Sequence, residues 1–209
     1  MTTNNPFKDL RKKFIVFDTE TEGTNLFTNR PWQCAWSVYE NGHMGRFENH
    51  YIWWDDLNIS KGAKRQTGFN YQEYKQNAED ASTVLDLFEK DVKQCPFIVG
   101  HNVLGFDTMI VNTWRRSLGR RSHFDDINKY IDTLALERGI QSDLPFDFEN
   151  PLAWQLKMIN LRTRKIKATV AALIKKYNIS IDEGALHDAA IDIVATGEIF
   201  KQQSYILEV

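Results

Sequence analysis

In the stretch FIVFDTETEGT (14–24), four apolar residues suited to a buried strand give way to acids at Asp18, Glu20 and Glu22. Strand side chains alternate faces, so Asp18 and Glu20 point the same way, about 7 Å apart along the chain. Like charges side by side repel unless something neutralises them. A solvated loop after a strand is the ordinary alternative. A third acid, Asp107, falls with Ile110, Val111 and Trp114 at helical spacing, on an apolar, inward face. There it is either a first-turn cap or a buried ligand for a cation. A fourth, Asp192, lies in LHDAAIDIVATGEIF amid Ala189, Ala190, Ile193 and Val194, small or apolar neighbours that would let a helix approach closely. His187 precedes Asp192 by five residues, which separates the two by about 140° on a helix. Both face one site only if His187 lies before the helix, and Asp188 as N-cap would put it there. A structural role is the plain alternative for a lone histidine. Clustered carboxylates with one histidine and no cysteine suit hard, oxygen-seeking Mg²⁺ or Mn²⁺ rather than zinc.

Positioning these groups needs a sheet and helices around it. Phe14 to Phe17 reads as a central strand, and PWQCAWSVYENGHMGRFENHYIWW as two aromatic β-runs around Asn41-Gly42, a dipeptide favoured in tight hairpins. Three neighbouring antiparallel strands are expected. Helical periodicity follows, with Val84, Leu87, Phe88 and Val92 on one stripe and two helices split near Ala78. PFIVGHN reads as a short buried strand, FDTMIVNTWRRSL as a helix, and YIDTLALE as a strand or short helix. The order is β-β-β-α-β-α-β-α. A loop from Gln141 to Pro151 then precedes a helix with Ile166, Val170, Leu173, Ile174 and Tyr177 on one stripe, and the last helix runs from about Ala189 to Gln203.

The chain has 209 residues, 42% hydrophobic and 12% aromatic, enough for one globular domain over 14–209 after a polar leader at 1–13. Net charge is -2, so bulk charge advertises no polyanion, and any anionic partner must be met by local basic patches. The two cysteines, Cys34 and Cys95, are far apart in apolar settings, which suggests a reducing, intracellular compartment. MTTNNPFKDLRKK has no apolar core of signal-peptide type, and no run of 18 apolar residues occurs. The expectation is a soluble, cytoplasmic chain without membrane contact.

D-x-E closing a first strand, H-N-x-x-x-F-D opening a helix after a later strand, and H-x-x-x-x-D near the end form an ordered trio. In this the chain resembles the DnaQ-like family of 3′-to-5′ exonucleases, in the DEDDh branch with a catalytic histidine, from about Phe14 to Phe200. ISKGAKRQTGFNYQEY resembles that family's link between third strand and first helices, and YIDTLAL its fifth strand. The sister branch has a tyrosine four residues before the last aspartate, where this chain has Asp188. Two departures stand out: Glu22 replaces the second threonine of the common D-x-E-T-T-G, and three residues separate Asn102 from Phe106, one more than in many members.

The resemblance implies a ribonuclease H-like three-layer α/β fold with a mixed, mainly five-stranded sheet flanked by helices. It implies that Asp18, Glu20, Asp107 and Asp192 hold two Mg²⁺ ions, with Mn²⁺ as a substitute, about 3.5 to 4 Å apart as in other two-metal sites. His187 would take the proton of the attacking water, since imidazole titrates near neutral pH. The products would be nucleoside 5′-monophosphates released stepwise from a 3′ end. Thr19 and the turn through Gly23, Thr24 and Leu26 would grip the 3′-hydroxyl, with Leu26 or Phe27 against the last base. Core packing is the alternative for Phe27. Asn102 is a substrate-side candidate, yet with His101 it reads first as a loop-fixing hydrogen bonder.

Two basic stretches compete for the strand's phosphates: WRRSLGRRSH, with Arg115, Arg116, Arg120 and Arg121, and RTRKIK, with Arg162, Arg164, Lys165 and Lys167. Solvated helix ends explain either equally well. Single-stranded DNA or frayed DNA ends are the preferred substrate, in repair or in proofreading beside a separate polymerase. The same site would serve RNA trimming. A nucleic-acid-binding or polymerase-docking module without turnover is the reading from another class, and a homodimer partner is left open.

Overall fold

The computed structural model of the chain describes residues 11–121, 127–161, 165–182, 184 and 186–207. Residues 1–10 of the leader, and Arg162 and Arg164 of the second basic stretch, lie outside the described residues. A six-stranded sheet has the order β4-β3-β2-β1-β5-β6. Its strands are β1 (Lys13–Thr21), β2 (Pro31–Glu40), β3 (His43–Trp53), β4 (Glu79–Asp80), β5 (Ile98–Gly100) and β6 (Tyr130–Asp132). β1, β2 and β3 are antiparallel neighbours, whereas β5 runs parallel to β1 and β6 parallel to β5. This is the mixed sheet of a ribonuclease H-like fold, extended at one edge by the two-residue β4.

The hairpin between β2 and β3 turns through Asn41 and Gly42 alone, with φ of 51° and 78°, and Glu40 pairs with His43. Both turn residues need positive φ, the conformation that asparagine and glycine tolerate best. Strand β1 is central, and Phe14, Ile15 and Val16 are fully buried. Its odd residues, Ile15 and Phe17, pack with Trp36, Ile52, Val84, Leu85 and Phe88 beneath α3 (Ala81–Lys93) and α4 (Asp107–Ser117). Its even residues, Phe14 and Val16, pack with Tyr39, Leu136, Ile193 and Phe200 on the opposite face. That face is covered by α5 (Thr133–Gln141), α6 (Pro151–Ile159) and α8 (Ala189–Ile206). Helix α8 crosses β2 so closely that a Cβ at Gly197 would collide with the Tyr39 ring.

Several local expectations change. The segment before Ala78 is two helices, α1 (Lys61–Thr67) and α2 (Tyr71–Asn77). Gly68 ends the first at φ 66°, and the Asn70 side chain caps the second. YIDTLALE is both a strand and a helix, because Asp132 ends β6 and caps α5. Helix α6, opened by Pro151 at its first turn, was not anticipated. Helix α7 (Val170–Lys176) starts after the Thr169 cap, so Ile166 lies outside the helix expected to carry it. None of the described helices is long and apolar enough to cross a membrane. Cys34 and Cys95 are free and buried. Trp36 and Trp114 are fully buried core residues.

Candidate active site

The alternation of β1 decides where each group of the D-T-E segment points. Asp18 and Glu20 share the face of Phe14 and Val16, toward α8, while Thr19 turns toward α4. All three lie at the carboxyl end of β1, beside its parallel neighbour β5, where open α/β sheets commonly bind ligands. Asp188 caps α8 by accepting from the Ala190 N–H, and His187 sits just outside the helix at φ 72°. Asp192, in the first turn, then faces Asp18 and Glu20, and one oxygen from each of the three lies within 4.8 Å of the others. The His187 backbone N–H donates to Asp192 Oδ2 at 3.2 Å.

Asp107 opens α4 and is buried, and its Oδ1 accepts from the Thr19 hydroxyl at 2.6 Å and the Thr19 N–H at 3.2 Å. It is therefore both a first-turn acid, favoured there by the helix dipole, and a carboxylate lining the site. One cavity of about 400 Å³ is bordered by Asp18, Thr19, Glu20, Asp107, His187 and Asp192, and also by Gly23, Thr24 and Asn102. Leu26 and Phe27 do not line it. Leu26 is tied back through its carbonyl to the Thr113 hydroxyl, and Phe27 is 71% exposed, which removes core packing as its role.

Crowding shows in the acid strengths. Burial, then the charges of Asp107 and Glu20, push Asp18 well above the usual carboxylate range. Burial and then Asp192 push Glu20 up to about 9. Burial raises Asp107 to about 7 against the opposing hydrogen bonds from Thr19, and raises Asp192 to about 6 against the nearby His187. Asp192 Oδ1 is buried without a hydrogen-bond partner. Unpaired buried carboxylates are costly, and a divalent cation held by their oxygens would remove the cost. The donor set, oxygens with an exposed imidazole beside them, fits a hard metal ion.

Residues outside the motifs hold this arrangement. Asp132 is fully buried and accepts from the N–H groups of Asn102 and Leu104 as well as those of Leu134 and Ala135. It thus fixes the loop that delivers Asp107; a D-T pair after an apolar strand was its only sequence signal. Asn102 takes φ 59° in that loop, and His101 Nδ1 bonds the Thr133 hydroxyl, so both fix the loop. Burial lowers the His101 pKa to about 4. Glu22, the departure from the common motif, is a clamp. It is buried, pairs with the Arg30 guanidinium at 2.7 Å, and accepts from the N–H groups of Arg30 and Asn58. Gln66, from α1, approaches His187 Nδ1 at 3.4 Å and lines the cavity, a contact that no local pattern announces.

No known family model matches the chain, and no curated protein matches it in sequence. Solved structures do match its fold. A zinc-ion-bound complex of E. coli exonuclease I with single-stranded DNA superposes with a TM-score of 0.72 at 22% identity, covering 94% of this chain and 42% of that one. E. coli exonuclease I with a dA16 oligonucleotide gives 0.71 at 20% identity over the same shares, 94% and 42%. A complex of exonuclease I with SSB-Ct gives 0.71 at 21%, over 95% of this chain and 43% of that one. The chain spans less than half the length of these proteins, and what it shares with them is the ribonuclease H-like fold.

Proposed function

We propose that the chain is a metal-dependent 3′-to-5′ exonuclease that acts on single-stranded DNA or frayed DNA ends and releases nucleoside 5′-monophosphates. In this reading residues 14–209 are one exonuclease domain. The observation that carries it is the convergence of Asp18, Glu20 and Asp192 within 4.8 Å, in one cavity with Asp107 and His187. The fold neighbours described as exonuclease I with bound oligonucleotides support a single-stranded DNA substrate.

Asp18, Glu20, Asp107 and Asp192 would hold two Mg²⁺ ions, or Mn²⁺ in their place, which supply positive charge to the scissile phosphate and the leaving oxygen. His187 takes the proton of the attacking water. Its loop is held by the backbone bond to Asp192 and its ring by Gln66. A Gln66 side chain turned oxygen-first accepts from Nδ1–H and leaves the Nε2 lone pair as the base. Thr19, Gly23 and Thr24 border the cavity at the end of β1, where the 3′-terminal sugar would sit. The Glu22–Arg30 clamp keeps the turn after β1 in one shape for that contact.

The test is nucleotide release from matched 5′-labelled DNA and RNA single strands with Mg²⁺, with Mn²⁺ and with chelator. Asp18→Ala serves as control. A stepwise ladder that requires metal and Asp18 is expected, faster on DNA, and His187→Ala should slow it by about 10²-fold or more while the fold is kept. A faster RNA ladder would assign RNA as substrate. Tight binding without a ladder on either strand would refute the enzyme and favour a binding module.

A further inference from the structure

Strand β2 carries one amide in an otherwise apolar run, PWQCAW (31–36). Gln33 is buried, and burying an amide is costly unless its hydrogens are used. Both are used. Nε2 donates at 3.0 Å to Asn49 Oδ1 on β3 and at 3.0 Å to Asp188 Oδ1, 155 residues along the chain. A carboxylate offers only acceptors, so Asp188 turns the Gln33 amide nitrogen-first, and Gln33 in turn fixes Asn49 oxygen-first. The strand register explains the reach. Gln33 is paired with Glu20 across β1 and β2, and directly opposed side chains share a face, so Gln33 stands on the α8 side of the sheet.

The contact falls where the backbone is strained. His187 takes φ 72°, a conformation that costs a residue with a side chain and persists where its surroundings impose it. Its N–H is held by Asp192 Oδ2 at 3.2 Å, and the next residue, Asp188, accepts twice, from the Ala190 N–H at 2.9 Å and from Gln33. The bonds with Asp192 and Ala190 are local to the entry of α8 and travel with that helix. Of these three bonds, only the one from Gln33 ties the entry to the sheet that carries Asp18 and Glu20. Gln33 itself does not border the carboxylate cavity. We propose that Gln33 is a positioning residue for His187: through Asp188 it sets where the histidine stands relative to the carboxylates on β1. This rests on the exonuclease reading, in which His187 takes the proton of the attacking water, and adds to it a residue that acts from outside the cavity.

The test is Gln33→Met, which keeps the length of the side chain and removes its donor. Asn49 and Asp188 are exposed, so the oxygens it releases return to water. Cleavage of single-stranded DNA in saturating Mg²⁺ is measured in the wild-type and His187→Ala backgrounds. In the wild-type background kcat should fall by about tenfold with KM within about twofold, since a misplaced base costs rate rather than binding. In the His187→Ala background the same change should alter kcat by less than about twofold, because the residue it acts through is gone. Independently of turnover, the NMR cross-peak of the His187 ring Cε1–H, assigned by its loss in His187→Ala, should shift in Gln33→Met while those of His43 and His101 stay. Should Gln33→Met fail to fold, Asp188→Ser, which keeps a capping oxygen but shortens the reach to Gln33, carries the same measurements. An unchanged kcat, or an equal loss in both backgrounds, overturns the proposal, as does an unmoved His187 cross-peak. A wild-type chain that cleaves nothing while the cross-peak shifts keeps the link from Gln33 to His187 and overturns the exonuclease.

Discussion

Replacing Asp18 with asparagine removes one charge from the carboxylate group while keeping its shape. One oxygen from each of Asp18, Glu20 and Asp192 lies within 4.8 Å of the other two. At that separation two unit charges repel by roughly 1 kcal/mol at the dielectric of water and roughly 3 kcal/mol at an effective value near 20. Burial first, and then this repulsion, push Asp18 and Glu20 upward, so the acids escape part of the cost by keeping protons. In chelator at pH 8, Asp18→Asn should therefore stabilise the chain by about 1 to 3 kcal/mol, a Tm rise of roughly 3–10 °C for a domain of this size. With millimolar Mg²⁺ the order should reverse, because cation binding adds stability only to the form that binds. Activity on single-stranded DNA should be lost in both conditions. Differential scanning fluorimetry with urea denaturation as a check measures the pair. A variant less stable than wild type in chelator, or equally protected by Mg²⁺, would refute the idea that repulsion relieved by metal governs this site.

Stability without metal should fall as pH rises. An acid whose folded-state pKa exceeds its unfolded value keeps its proton after the unfolded chain has released it, so its contribution is full below about pH 4. It is lost as pH climbs through about 6 for Asp192, about 7 for Asp107 and about 9 for Glu20. Urea midpoints in chelator from pH 5 to 9 should decline, and saturating Mg²⁺ should flatten the decline; a rise with pH would be the wrong sign. Glu22→Ala leaves the Arg30 guanidinium with Asp56 alone and removes the acceptor of the Arg30 and Asn58 N–H groups, and should cost about 1–3 kcal/mol, whereas Glu22→Gln, which keeps acceptors, should cost less by the same denaturation. Phe27, 71% exposed, should give less than about 0.5 kcal/mol of stability change on Phe27→Ala. If it stacks on the terminal base, KM for DNA should rise by about tenfold, and an unchanged KM would remove it from the substrate site.

Much of the site was legible because its logic is local. Asp18 and Glu20 are two residues apart on a strand whose apolar run marks it as central, so pleat alternation alone directs both acids the same way. Asp188 as a cap, and hence His187 outside the helix, follows from one side chain bonding an N–H two residues on. Asn41-Gly42 similarly dictates its turn through φ preference.

Other features depend on partners far along the chain, and only packing decides them. Glu22 looks like a defect in the D-x-E-T-T-G pattern until Arg30 and Asn58 close around it. Asp132 caps α5 by a local rule, yet its hold on Asn102 and Leu104 reaches across 30 residues. The number of helices between β3 and α3 turned on Gly68 and Asn70, a stop and a cap that helical periodicity by itself does not mark. The two basic stretches are indistinguishable by composition, since the acids that neutralise Arg115 and Arg120 sit on another helix. Sequence by itself determined which carboxylates share a face and where His187 leaves the helix, because dihedral preference and side-chain period act over a few residues. Tertiary structure decided which charges meet and which are answered, because electrostatic pairing depends on distance in space and not along the chain.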